Sequence, residues 1–162
     1  MIELYTDGAS SGNPGPGGYG TILRTIYQGT NTDYQGKLLE KEFSAGFRRT
    51  TNNRMELLAV IIGLEAIKNL NQDVTIFSDS KYVIDAIDKK WVYGWINKGF
   101  QGKKNKDLWI RLMAVYKLHK VKMVWVKGHA GHPLNERCDQ LAVKASKDRI
   151  NWKIDTVFEM EV

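Results

Sequence analysis

Four carboxylates occupy chain positions from which reactive groups in α/β proteins tend to project. Asp7 ends the alternating segment Ile2, Leu4, Thr6 against Glu3, Tyr5, Asp7, and Asp79 follows the short apolar run Val74 to Ser78. Glu56 falls in the first turn of one helical pattern and Asp139 in the opening turns of another. In an open α/β sheet, the carboxyl ends of parallel strands and the helix starts beside them face one crevice, where these acids can converge. Taken singly, two of them have a plain structural reading: Glu56 stands three residues after Asn53, as in a capping box, and Asp79 sits where a helix N-terminus favours negative charge. Jointly they point elsewhere, because like charges packed in one cleft repel and persist best when cations neutralise them. A donor set made only of oxygen selects Mg²⁺, with Mn²⁺ as the alternative, over zinc. Two such ions about 4 Å apart are a common means of hydrolysing a phosphodiester.

Two other patterns fail on chemical grounds. Gly15, Gly17 and Gly20 formally satisfy G-x-G-x-x-G, but that pattern needs a strand turning directly into a helix, and here Thr21, Ile22 and Leu23 continue as β. His129, His132 and Cys138 lack a second Cys or a closely spaced His pair for zinc. Cys138 instead shares the i, i+3, i+4, i+7 spacing of a buried helix face with Leu141, Ala142 and Ala145.

Charge supplies the substrate hint. The chain has 24 Lys and Arg against 18 Asp and Glu, for a net +6. The whole excess lies in residues 89–106, which hold Lys89, Lys90, Lys98, Lys103, Lys104 and Lys106 and no acid. Trp91, Tyr93, Trp95 and Phe100 interleave with those lysines, offering cations for phosphates and flat faces for sugars or bases. A polyanion is the expected partner; a solvated basic loop whose aromatics serve the core is the plainer reading.

The elements that must position these groups follow from hydrophobic period. Strands are expected at 2–7, 19–27 and 38–47, with a glycine-rich loop over 8–18 and a long hairpin connection near 28–37. A helix follows residues 50–53 and runs to about Asn69, apolar nearly all round from Leu57 to Ile62 and therefore packed against a sheet. Then come a strand at 74–78, helices over 80–89, 91–97 and 108–119, a strand at 121–126 and a helix at 135–147. Three strands joined by loops give an antiparallel meander, and the strand-helix-strand units after them require parallel crossovers. The expectation is an α/β protein with a mixed five-stranded sheet and helices on both faces, one domain over 1–162, its core ending near 147 and its tail fraying after about Asp148. The longest apolar run, Leu57 to Leu64, is far short of the roughly 18 residues of a membrane span. With a Met1-Ile2-Glu3 opening unlike a signal peptide and a single Cys, this favours a cytoplasmic setting.

The segments TDGASSGNPGPGGYG (6–20), TTNNRMEL (50–57), SDSKYV (78–83) and WVKGHAGHPLNERCDQLA (125–142) resemble type 1 ribonuclease H in the family's order, over residues 1 to about 147. The resemblance implies a ribonuclease H fold and hydrolysis of the RNA strand of RNA–DNA hybrids, leaving 5′-phosphate and 3′-hydroxyl ends, by a monomer using two Mg²⁺ ions. It places the metal-binding acids on Asp7, Glu56, Asp79 and Asp139, the set reached from position and charge. It also implies a proton-transfer or product-release role for His129 in a Gly128–Gly131 loop, minor-groove contacts from Asn13, Asn52 and Asn53, and a DNA-phosphate contact from Thr51. Trp91 would line the DNA-strand channel, and Lys98, Lys103 and Lys104 would belong to a basic protrusion. That protrusion is several residues shorter than in members with a long one, Phe100 stands where Trp is frequent, and Lys81 stands where a neutral polar residue is frequent. A non-catalytic binding module on the same fold is disfavoured, since a binder gains nothing by placing four acids beside a phosphate. A broader nuclease on a related fold would share the acids but not the asparagines.

Overall fold

A computed structural model describes residues 1–26, 38–127 and 131–161. The opening alternation forms β1 (Ile2–Ser10), which becomes a central strand with both faces covered. Leu4 enters the main core, while Tyr5 joins Ile22 and Cys138 in a second cluster on the other face. β1 pairs antiparallel with β2 (Gly15–Ile26), which pairs antiparallel with β3 (Leu38–Thr50). On its other side β1 pairs parallel with β4 (Asp73–Ser78), and β4 with β5 (Lys120–Trp125). The sheet order is β3-β2-β1-β4-β5, the expected meander followed by parallel crossovers.

The glycine-rich stretch departs from the expected loop. β1 continues to Ser10 and β2 begins at Gly15, with Gly8 opposite Tyr19 and Ala9 opposite Gly18. Glycine costs a strand its side-chain packing, but here backbone of a helix replaces that packing. A Cβ on Gly20 would stand 2.3 Å from the Cys138 carbonyl oxygen, so the bare strip lets helix α5 (Pro133–Lys147) seat directly on the sheet. The opposite face is covered by α1 (Asn52–Glu65), whose all-round apolarity is explained by the sheet on one side and a later helix, α4 (Lys106–Tyr116), on the other. α1 stops at Glu65, short of the expected end near Asn69, and the chain turns through a left-handed Asn71 whose N–H donates to the Leu118 carbonyl.

Between β4 and β5 run α2 (Lys81–Asp88), α3 (Trp91–Asn97) and α4 (Lys106–Tyr116). The lysine-rich segment is thus a short helix and a tight loop, in which Gly99, Phe100, Gly102 and Asn105 all adopt positive φ. Phe100 is buried in the core while Trp91 and Tyr93 are exposed. Of the interleaved aromatics expected to offer flat faces, Phe100 is therefore withdrawn, because its left-handed turn points it inward against the helices it closes.

The tail does not fray. Lys153 bridges in parallel to Phe47 on the edge strand, α6 (Thr156–Met160) follows, and Asp155 is buried against Arg54. A buried arginine demands carboxylate partners, and the tail supplies one of them. No helix among the described residues is long and apolar enough to cross a membrane. The hairpin connection near 28–37 lies outside the described residues.

Candidate active site

β1 delivers Asp7, and the end of β4 delivers Asp79 on the neighbouring parallel strand. α1 brings Glu56 down onto them: oxygens of Asp7, Glu56 and Asp79 all lie within 4.8 Å of one another. Asp139, on α5, lines the same cleft and interacts with the Asp7 carboxyl from the opposite face of the sheet. The cleft has a volume of about 330 Å³ and is completed by Gly8, Asn52, Asn53, Ser80, Lys81 and Tyr82.

Local chemistry explains why these acids face inward. The capping box expected of Asn53 and Glu56 does not form; Thr51 caps α1 instead, its side chain accepting the Arg54 N–H at 3.3 Å. Glu56 is thereby free to turn toward β1, where one carboxylate oxygen accepts the Gly8 N–H at 2.9 Å. Gly8 permits the approach, since a Cβ there would lie 2.5 Å from the Glu56 nitrogen. Ser80, not Asp79, caps α2 through the Val83 N–H. The Asp79 backbone carbonyl is fixed by the Trp125 indole N–H at 3.3 Å.

Burial, and then the neighbouring Asp79 charge, push the Asp7 carboxyl up to about 8. Glu56 is driven well above the ordinary carboxylate range, by burial first and by Asp7 and Asp79 next. Among the described residues, none of the four acids forms an ion pair with Lys, Arg or His. The second oxygen of Glu56 is buried without any partner. An orphaned carboxylate oxygen in an all-oxygen cluster without a counter-cation fits a hard divalent ion; these residues can hold Mg²⁺ or Mn²⁺.

A second cleft of about 470 Å³ adjoins the first, sharing Asn53, Lys81 and Tyr82 with it. Trp91, Trp95, Lys103 and Lys104 line it. The Lys103 ammonium lies 5.1 Å from the Trp95 ring centre, and Lys89 stands over Trp91 at the same distance. Lys98 is exposed at the end of α3, outside the lining of both clefts. Asn13 is drawn to the start of α1, its side-chain oxygen accepting the Asn52 N–H at 3.1 Å, which places Asn13, Thr51, Asn52 and Asn53 side by side. His129 lies outside the described residues. His132 packs its ring 5.2 Å from Tyr5, and Cys138 is fully buried on the sheet-facing side of α5, as expected of a core thiol.

Sequence reasoning missed Tyr82, which lines both clefts, and the network around Arg54. The available signal for Arg54 was a single basic residue in a largely apolar helix.

The mixed α/β sheet thus carries a cleft of four carboxylates beside a basic, aromatic one. The RNase H family model matches residues 1–147. A ribonuclease H of Desulforamulus reducens is 54% identical over 151 residues, covering 90% of this chain and 87% of that protein. Among solved structures, LC9-RNase H1, described as a type 1 RNase H with the type 2 active-site motif, shares 33% identity and a TM-score of 0.78 over 90% of this chain and 71% of its own. LC11-RNase H1, solved in complex with an RNA/DNA hybrid, has the same fold at 23% identity and a TM-score of 0.62, over 93% of this chain and 99% of its own. The chain belongs to the RNase H family and is a ribonuclease of that family.

Proposed function

We propose that residues 1–162 form one catalytic domain that hydrolyses the RNA strand of RNA–DNA hybrids, leaving 5′-phosphate and 3′-hydroxyl ends. The observation that carries this reading is the convergence of Asp7, Glu56 and Asp79, with Asp139 beside them, in a cleft continuous with a basic aromatic groove. The four acids would hold two divalent cations, Mg²⁺ by the all-oxygen donor set, which when bound supply an activated water and charge stabilisation at the leaving oxygen. The rest falls to the chain's own groups. Lys103, Lys104 and Lys98 hold phosphates of the DNA strand, and Trp91 packs against its sugars. Thr51 contacts a DNA phosphate, while Asn13, Asn52 and Asn53 read the minor groove, where 2′-hydroxyls distinguish the RNA strand. His129 moves a proton or speeds product departure. All four acids come from one chain, so a monomer suffices, and the buried free thiol of Cys138 suits a cytoplasmic setting.

The test is direct. Matched RNA–DNA hybrid, double-stranded RNA, double-stranded DNA and single-stranded RNA are incubated with the protein, with and without Mg²⁺. Metal-dependent cleavage confined to the RNA of the hybrid is expected; comparable cutting of DNA would overturn the reading.

A further inference from the structure

Arg54 is 2% exposed, one residue after Asn53 and two before Glu56. Its guanidinium donates to both oxygens of Asp107, at 2.8 and 2.7 Å, and to both oxygens of Asp155, at 2.7 and 2.9 Å. The Thr50 hydroxyl also donates to Asp155, at 2.7 Å. A third arm of the network reaches the groove: Arg54 Nη1 lies 3.4 Å from the Asn105 side-chain oxygen, and the Asn105 amide donates to the Tyr82 hydroxyl at 3.1 Å. Tyr82 in turn accepts the Trp109 indole N–H at 2.9 Å. Asn105 and Tyr82 both line the basic groove, and Tyr82 lines the carboxylate cleft as well.

Stability alone is a weak reason for such a cluster, because well-packed apolar residues often do as well as a buried ion triad. What a planar fork with two bidentate partners provides is direction. One side chain ties the start of α1, which carries Asn53 and Glu56, to the end of the basic segment and to the C-terminal stretch.

We propose that Arg54, held by Asp107 and Asp155, is a positioning residue that sets the spacing between the phosphate-gripping groove and the carboxylate cleft, so that the stretch around Asp155 helps decide which RNA bond is cut. This rests on the proposed hydrolysis of hybrids. A phosphate gripped in one cleft places the scissile bond in the other only if the two keep a fixed separation, and misplacement by about 1 Å costs up to about 100-fold in rate.

The experiment uses a short hybrid with end-labelled RNA that the wild-type protein cuts at a preferred bond. Asp155→Asn removes one charge from the triad while keeping its shape, and Asn105→Gly severs the arm to Tyr82 at a backbone position, φ +66°, that glycine tolerates without burying a charge. In both variants, below their melting temperatures, cuts spread to neighbouring bonds and kcat/KM at the preferred bond falls about tenfold. A purely structural role would lower the melting temperature and leave the cleavage pattern intact. Should Asp155→Asn fail to fold, Asn105→Gly alone decides. Wild-type cutting with an unchanged pattern and kcat/KM in the folded variants overturns the positioning role only; a hybrid left uncut by the wild-type protein overturns the proposed function and this role with it.

Discussion

Replacing Asp7 by Asn removes one charge from the cluster and keeps the shape and hydrogen-bonding reach of the side chain. Burial and Asp79 raise the Asp7 carboxyl from 3.8 to about 8. A carboxyl raised in the folded state stays protonated there across a window in which the unfolded chain has already released its proton, so stability falls as pH rises through that window. With one proton at stake the slope is about 1.4 kcal/mol per pH unit, or about 3 kcal/mol between pH 5 and pH 7. For a chain of this length that lowers the melting temperature by about 6–12 °C. Carboxylates held below their ordinary values act oppositely only in more acidic solution: Asp107, where Arg54 outweighs the cost of burial, and Glu42, held down by Arg137. Thermal unfolding of both proteins in chelator, from pH 5 to pH 8, should therefore show a wild-type melting temperature that declines with pH and an Asp7→Asn curve that declines much less. The variant should match the wild type near pH 5 and exceed it at pH 8. Divalent metal should stabilise the wild type most at pH 8, where protons mask the repulsion least, and do less for the variant. Hybrid cleavage by the variant should drop by orders of magnitude. Parallel pH curves, or a variant less stable than wild type at pH 8, would refute the claim that Asp7 is buried among unneutralised carboxylates.

Joint replacement of Lys98, Lys103 and Lys104 by Ala should raise KM for the hybrid more than it lowers kcat, and flatten the salt dependence of binding by about 0.9 per lost contact in the B-DNA limit, measured by titration at several salt concentrations. His129→Ala should retain Mg²⁺-dependent cleavage at a rate reduced about 100-fold, read from steady-state kinetics. Gly20→Ala should destabilise the fold by about 1–3 kcal/mol in urea unfolding, since the new methyl meets the Cys138 carbonyl and lifts α5, and it should depress cleavage by displacing Asp139.

The four acids were legible because their positions obey a general rule: strand ends and helix starts share a crevice, and only charge neutralisation makes such company tolerable. The meander and the parallel crossovers were legible from period and connection length. What escaped was set by contacts between distant segments. Gly8 to Gly18 read as a loop because glycine is a poor strand former on its own, and nothing local announces that a helix more than a hundred residues later will press on Gly18. The tail read as frayed because Asp155 looks like an ordinary surface acid until Arg54 is known to be buried opposite it. Which of the interleaved aromatics serve the core could not be read, because the left-handed backbone that goes with the inward turn of Phe100 leaves no trace in hydrophobic period.

The strip of sheet under α5 also has a mechanical consequence. Helices resist sliding along their axes when side-chain ridges interlock with grooves in the surface below; over Gly18 and Gly20 the backbone of α5 lies directly on the strand, while Leu134, Cys138 and Leu141 pack beside it among Tyr5, Ile22 and Phe77. Axial grip on α5 comes from that cluster, from the Cys138 thiol on the Tyr5 carbonyl, and from its flanks, through the exposed Arg137–Glu42 pair and the Trp152 indole on the Ser146 carbonyl. Asp7 and Asp79 are carried by strands and Glu56 by α1, whereas Asp139 is carried by α5. Three of the carboxylates thus come from the sheet and the helix on one of its faces, and the fourth from the helix on the other, so the seating of α5 on its glycine strip sets where Asp139 stands against the rest.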